Sequence, residues 1–399
     1  MSDRDKSGNA KAQELWAREA DAQVRYGRGF HWVESPLVMA HIQEEVSGSP
    51  NLDWLAYSYQ KYVQGRETPA DRILSLGSGG GNLERGLCHL GFKGHIDAYD
   101  FSEGAVVHAQ RLAAEEHMDN IAYFVKDLNE AEFPPKSYDI VYASGALHHI
   151  ANLENLLDQA KFALKDCGLL IINEYVGPFQ LQWTAKQTKI IDDLLRLLPR
   201  KYQQRVSNPK ILKDSFPGPS SIREMNSNDP SESVRSDEII PLIEARFSIK
   251  EHKNFGGTIL HMLLQDIAGN FDPLDTTDCA FLNLLIYIEK LLIQERVLES
   301  DFVFVVAEKR LKSSGASQPE AIDLAAELRA RDVRIRNLSE RLRQSEKYSV
   351  RERGAAWELV ERYRSWRDRT LPAGSGRRKA YEALMRRVRK GLGGRNEES

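Results

Sequence analysis

The chain has 399 residues, 41% of them hydrophobic and 28% charged, with a formal net charge of −3. That length allows one large domain with an appendage, or two domains, and a sizeable buried core. No apolar run approaches the roughly 20 residues that a membrane-spanning helix needs. Three widely spaced cysteines, Cys88, Cys167 and Cys279, form no C-x-x-C pair, which excludes a disulfide scaffold and a cysteine-based zinc site. No metal is expected. The charge is unevenly placed: from Arg329 onward 21 Lys/Arg face 10 Asp/Glu, a balance of +11, leaving 34 against 48, or −14, before it. An acidic body with a basic tail implies two parts with different partners. The polar, mixed-charge start at Met1 to Lys6 does not read as a signal peptide, so the expected location is the cytoplasm, with the tail peripheral to the inner membrane.

Residues 1–70 read as a helical N-terminal cap with scattered aromatics, among them Phe30, Trp32 and Trp54. From Arg72 short apolar runs recur at 73–76, 95–99, 121–125, 138–142 and 168–172, with amphipathic stretches such as 104–116 and 153–164 separating most of them. Strands alternating with helical patterns predict βαβ units and a mainly parallel sheet. Further along, 181–198 predicts an amphipathic helix, and 209–237 is rich in Ser, Pro and Asn. Two late strands are expected at 247–252 and 302–307, with helices holding 260–267 and 281–298 between them. The run at 312–319 has the composition of a linker. Beyond it Leu324, Leu328, Arg331, Ile335, Leu338 and Leu342 are spaced 4, 3, 4, 3, 4, an a/d seam of about three heptads. A solvated surface helix is the plainer reading of that seam.

The strongest chemical signal is Ile73-Leu-Ser-Leu-Gly-Ser-Gly-Gly-Gly-Asn-Leu-Glu84, a buried strand running into Gly77-x-Gly79-x-Gly81 and then a helix. Glycines serve where the chain turns through positive φ or a ligand approaches the backbone closely, and helix-start amides favour carboxylate or phosphate oxygens. The dinucleotide fingerprint fails, because Asn82 and Glu84 stand where a third glycine is required. Counted as x-x-G-x-G-x-G, the segment resembles the first motif of class I S-adenosylmethionine-dependent methyltransferases. Asp100 after the second strand, Lys126-Asp-Leu-Asn129 after the third, the segment from Tyr138 to His149 and the turn and strand from Leu164 to Ile172 resemble the motifs that follow in that family. Together they span about residues 72–175.

The resemblance implies a Rossmann-like α/β fold with a seven-stranded, mostly parallel sheet, and S-adenosyl-L-methionine as cofactor. Its binding residues would be Ser75, Gly77, Ser78, Gly79, Gly81, Asp100, Phe101, Asp127, Leu128 and Ser144, with Asp100 on the ribose hydroxyls and Asp127 on the adenine amino group. The plainer alternative for Asp100 and Asp127 is a cap on the next helix, which the surrounding motifs disfavour. Ser75 stands where the family has an acid. For a hydroxyl acceptor a base must take the proton; His148 and His149 after the fourth strand, and Glu174 after the fifth, are the catalytic candidates, though paired histidines there also serve structurally. His261 reads as a satisfied core histidine, and Arg235 as a candidate for an acceptor's phosphate or carboxylate.

The expected organisation is a helical cap over 1–70 and a methyltransferase domain over 71–311 with helical substrate-binding insertions at 178–246 and 256–300. A linker at 312–319, a coiled coil at 320–348 and a basic helical tail at 349–399 follow, and little beyond 312 is expected to pack on the sheet. The insertions loosely resemble those of bacterial surface-polysaccharide methyltransferases. The implied function is methylation, of oxygen by preference, on a small molecule or a sugar of a cell-surface glycan. The expected partners are that acceptor, a second copy through the coiled coil and an anionic membrane surface, with no nucleic acid. The rival reading is a catalytically inactive scaffold acting through its coiled coil and basic tail.

Overall fold

Strands covered on both faces of a sheet must be apolar on both, and the central strands here are. The computed structural model describes residues 29–310 and 324–345; the linker at 312–319 and the tail at 349–399 lie outside the described residues. Seven strands form one sheet: β1 (Arg72–Leu76), β2 (His95–Asp100), β3 (Ile121–Val125), β4 (Tyr138–Ser144), β5 (Leu164–Tyr175), β6 (Phe247–Gly256) and β7 (Phe302–Lys309), in the order β3-β2-β1-β4-β5-β7-β6. The first five pair in parallel, and β7 runs antiparallel between β5 and β6. Alternate residues enter opposite cores: Ile73, Ile140, Tyr142, Ile171 and Phe304 on one face, Leu74, Val141, Leu170, Ile172 and Val305 on the other.

Helices cover both faces. α1 (Pro36–Ser47) and α2 (Trp54–Ser58) precede the sheet, and the Asp53 carboxylate accepts from the Leu55 and Ala56 amides to start α2. α3 (Asn82–His89), α4 (Glu103–Glu115) and α5 (Leu153–Ala163) are the crossovers between parallel strands. After β5 come α6 (Ala185–Leu197), opened by a Thr184/Gln187 capping box, α7 (Ile222–Asn228) and α8 (Ile239–Arg246). Between β6 and β7 lie α9 (Leu260–Leu264) and α10 (Thr276–Gln294). The predicted helix over 181–198 begins later because Gln180 and Leu181 take positive φ in a tight turn. β5 starts four residues before its apolar run and passes through Cys167 at φ 62°, an irregularity that pairing with β4 also records. No helix among the described residues is long and apolar enough to cross a membrane.

The body does not end at 311. The chain divides into two compact units, Met1–Arg331 and Asp332–Ser399, and the helix α11 (Leu324–Ser345) begins in the first. Within that unit Arg246, 4% exposed, pairs with Asp158 at 2.8 Å and Glu327 at 3.2 Å, Arg329 pairs with Glu244 at 2.9 Å, and Ala330 joins the second core. Seam position Leu328 is buried as well, so the early a/d positions already have a structural use without a second strand. Truncation after Lys312 should therefore cost about 1–3 kcal/mol, because it strips a buried guanidinium of a carboxylate partner. A urea midpoint unchanged by that truncation would show that α11 adds nothing to the body.

Candidate active site

The strand order reverses direction between β1 and β4, and in open α/β sheets ligands bind outside the carboxyl ends of the strands at such a point. Two turns meet there. After β1, Gly77, Gly79 and Gly81 take φ of 73°, 49° and 77°. A Cβ on Gly77 would stand 2.3 Å from the Ala146 Cβ in the turn after β4, and one on Gly81 would stand 2.5 Å from the Tyr123 hydroxyl. Those two glycines are needed for close approach within the protein. Gly79 differs: a Cβ there would meet nothing within 4 Å. Its amide donates to Asp100 Oδ2 at 2.8 Å, while Asp100 Oδ1 accepts from the Ser102 amide at 2.8 Å. Burial pushes the Asp100 carboxyl up, against the pull of those amides. Open backbone beside a largely buried carboxylate is what a ribose-bearing ligand requires, and the loop fits S-adenosylmethionine.

The other cofactor candidates fall around this loop. Ser75 and Ser78 are buried, and the Ser78 hydroxyl has no partner. Phe101 is half-buried just after β2, Leu128 is buried, and Ser144 ends β4 half-buried. Asp127 lies two residues beyond the end of β3 rather than at it, and Oδ1 accepts from the Asn129 amide and side chain at 2.9 Å each, so it does act as a cap.

Sequence reasoning missed Glu84. It is 0% exposed on α3, and neither carboxylate oxygen completes a hydrogen bond. Burial pushes its carboxyl up to about 7; the neighbouring Ser75 hydroxyl eases the charge without reaching hydrogen-bonding geometry. The acid absent from position 75 thus has a counterpart on the following helix. Because its folded pKa lies above the ordinary 4.5, Glu84 destabilises the fold increasingly as pH rises from about 4.5 to about 7. Glu84→Gln should then be more stable than the parent by about 3 kcal/mol at pH 8 and nearly equal to it at pH 4. Urea titrations at both pH values check this; a gain independent of pH would contradict it.

The turn after β4, Leu147–His149, carries the histidines. Glu174 does not follow β5 and open into the crevice, as expected; it is the penultimate residue of that strand and 1% exposed. Its Oε2 accepts from the Ala146 and Leu147 amides at 2.8 and 2.9 Å, and Oε1 takes the Tyr175 amide at 2.9 Å and a short bond with His148 Nδ1. A carboxylate so saturated holds His148 in place. Burial alone would lower the His148 pKa, but the charge and hydrogen bond of Glu174 outweigh it and raise it. His149, ring centroid 4.1 Å from that of His148, is pushed down to about 4 by burial and by its neighbour.

The segment 229–236 completes the site. Its Val234 amide donates to the His148 carbonyl at 2.9 Å, and Glu232 Oε1 stands 3.9 Å from His148 Nε2. Burial would raise the Glu232 carboxyl, but the two histidines hold it below the usual range. Arg235, a candidate acceptor ligand, is 5% exposed and bound to Glu154, Glu238 and the Ala151 carbonyl. It is a strut between segments. His261 is not satisfied: its Nδ1 and the Trp183 Nε1 are buried without partners, and its ring lies 5.4 Å from Phe302, 6.0 Å from Trp32 and 6.3 Å from Trp183.

Sheet order, glycine loop and strand-end carboxylate are similar to those of class I S-adenosylmethionine-dependent methyltransferase domains. Residues 73–168 match the family model described as a methyltransferase domain. Among curated proteins the chain is similar to the polyketide synthase PksM of Bacillus subtilis, 29% identical over 115 residues, and to a malonyl-[acyl-carrier protein] O-methyltransferase of Bacillus cereus, 28% identical over 109. Each match covers 27% of this chain, which spans 3% and 39% of the lengths of those two relatives. A solved S-adenosylmethionine-dependent methyltransferase of Mesorhizobium loti is 17% identical, with 63% of this chain and 98% of that one covered, at a TM-score of 0.36.

Proposed function

We propose that the chain transfers the methyl group of S-adenosylmethionine to a hydroxyl oxygen of a small acceptor, a sugar of a cell-surface glycan being the class that best suits the site. The observation that carries this is the open backbone at Gly79 beside the Asp100 carboxylate. Bound S-adenosylmethionine supplies a sulfonium methyl, already activated for in-line displacement. The chain's task is to align the acceptor and exclude water. His148, His149 and Glu232 converge outside the β4 end, where an acceptor oxygen must shed its proton. Trp32, Trp183 and Phe302 surround His261 at tilted and edge-on angles as a largely buried aromatic cluster whose two unpartnered nitrogens suit the hydroxyls of a sugar. Glu84 beside Ser75 supports an enzyme over an inactive scaffold, since the carboxylate is relocated rather than lost.

Gly79→Ala tests the donor site. The left-handed backbone costs an alanine about 1 kcal/mol and nothing clashes, so the variant should fold. Its methyl group occupies the space given to the donor, and calorimetry with S-adenosylmethionine should show affinity at least ~10-fold weaker. Unchanged affinity in the folded variant would remove the donor from this loop. The acceptor is then identified with methyl-labelled donor against nucleotide sugars and polysaccharide ends.

A further inference from the structure

We propose that His148, His149 and Glu232 bind a divalent transition cation of the zinc or manganese type at the acceptor end of the crevice. One atom from each lies within 4.8 Å of the others. The 3.9 Å between His148 Nε2 and Glu232 Oε1 is too long for a hydrogen bond. Ligands held about 2.0–2.2 Å from one ion stand roughly 3.0–3.5 Å apart. A bound ion would draw the set together from its spacing of up to 4.8 Å, with Glu232, whose side chain is 26% exposed, and the His149 ring both turning inward.

The surroundings are built for such a role. Metal-bound histidines characteristically give their second ring nitrogen to a carboxylate, which fixes tautomer and ring orientation. Glu174 does this for His148 Nδ1 and is itself locked by three backbone amides, so Nε2 is the atom presented to Glu232. Ser233 donates to Glu232 Oε1 at 2.6 Å, and the Ser231 hydroxyl lies 3.3 Å from His149 Nδ1 while donating to Asp229 at 2.6 Å. The bond from the Val234 amide to the His148 carbonyl clamps the segment bearing Glu232 onto the turn bearing the histidines. Two imidazoles and one carboxylate suit a borderline cation and leave coordination positions open. The sequence hid this site because its carboxylate comes from a distant insertion rather than from a spaced motif.

The cation's use at an acceptor rests on the methyltransferase reading; its binding does not. Coordination lowers the pKa of a hydroxyl, which loses its proton to solvent. The oxygen lone pair then forms the O–CH3 bond as the C–S bond breaks, its electron pair passing to sulfur. An acceptor with two neighbouring oxygens fits the open positions best.

Co2+ and Zn2+ titrated into the chelator-stripped full chain, followed by Co2+ visible absorption and calorimetry, should show one equivalent bound. Glu232→Gln and His149→Ala should each weaken binding ~10- to 100-fold or more, with S-adenosylmethionine affinity within 2-fold of the parent. The unfolding midpoint of each variant identifies any that misfolds, and the other then decides. No binding by the parent, or undiminished binding by folded variants, overturns the cation site. A parent that binds the cation but not S-adenosylmethionine overturns the methyltransferase reading instead.

Discussion

His148→Gln should lower methyl transfer about 100-fold or more while S-adenosylmethionine binds as before. His148 is where the two halves of the site join: Nδ1 is tied to Glu174, Nε2 faces Glu232, and the carbonyl holds the Val234 amide. The substitution leaves the backbone bond intact and takes the imidazole away from both Glu174 and the acceptor, so the unfolding midpoint is measured alongside turnover. The glycine loop and Asp100 lie after other strands, so donor affinity measured by calorimetry is the control. Turnover that falls only with donor affinity would mean that the histidine supports the cofactor cleft and not the acceptor. Equal activity of the His148 and His149 variants with the parent would take both out of the mechanism.

The sheet was legible because burial on both faces writes itself as short apolar runs, and the runs at 73–76, 121–125 and 138–142 fall within β1, β3 and β4. Strand ends were harder. β5 begins at Leu164 through a positive-φ Cys167, and β6 continues to Gly256 on alternating polar residues at a half-exposed edge, where hydrophobic pattern carries no signal. Gly77, Gly79 and Gly81 all turn through positive φ as their spacing predicts, but only contacts tell them apart, since two meet Ala146 and Tyr123 and the third meets open space.

The acceptor end was read less well. In the segment 229–236 Arg235 drew attention as a cation, yet its charge is spent on Glu154 and Glu238, while Glu232 reaches the histidines. A carboxylate two residues from a Ser- and Asp-rich turn looks like ordinary surface until the insertion is folded back over β4. Glu84 was hidden in the opposite way: on an amphipathic helix a Glu reads as solvated, and only the packing of α3 against the loop buries it. Position 75 could have prompted the search, since an acid missing from a strand end invites one from the helix that follows it.

Asp100→Ala should weaken S-adenosylmethionine binding about 10- to 150-fold, or about 1.5–3 kcal/mol, the value of charge-assisted hydrogen bonds. Part of that loss has a purely structural source, because Asp100 also anchors the Gly79 and Ser102 amides. Asp100→Asn separates the two. Its amide oxygen keeps one backbone acceptor and its volume, so the loop stays closer to its shape while the negative charge is gone. If the carboxylate takes the ribose hydroxyls, Asn should recover thermal stability more fully than donor affinity. If Asp100 only caps the turn after β2, the two should recover together. Calorimetry and thermal unfolding on the same two variants give the comparison, and parallel recovery would leave the ribose without its assigned ligand.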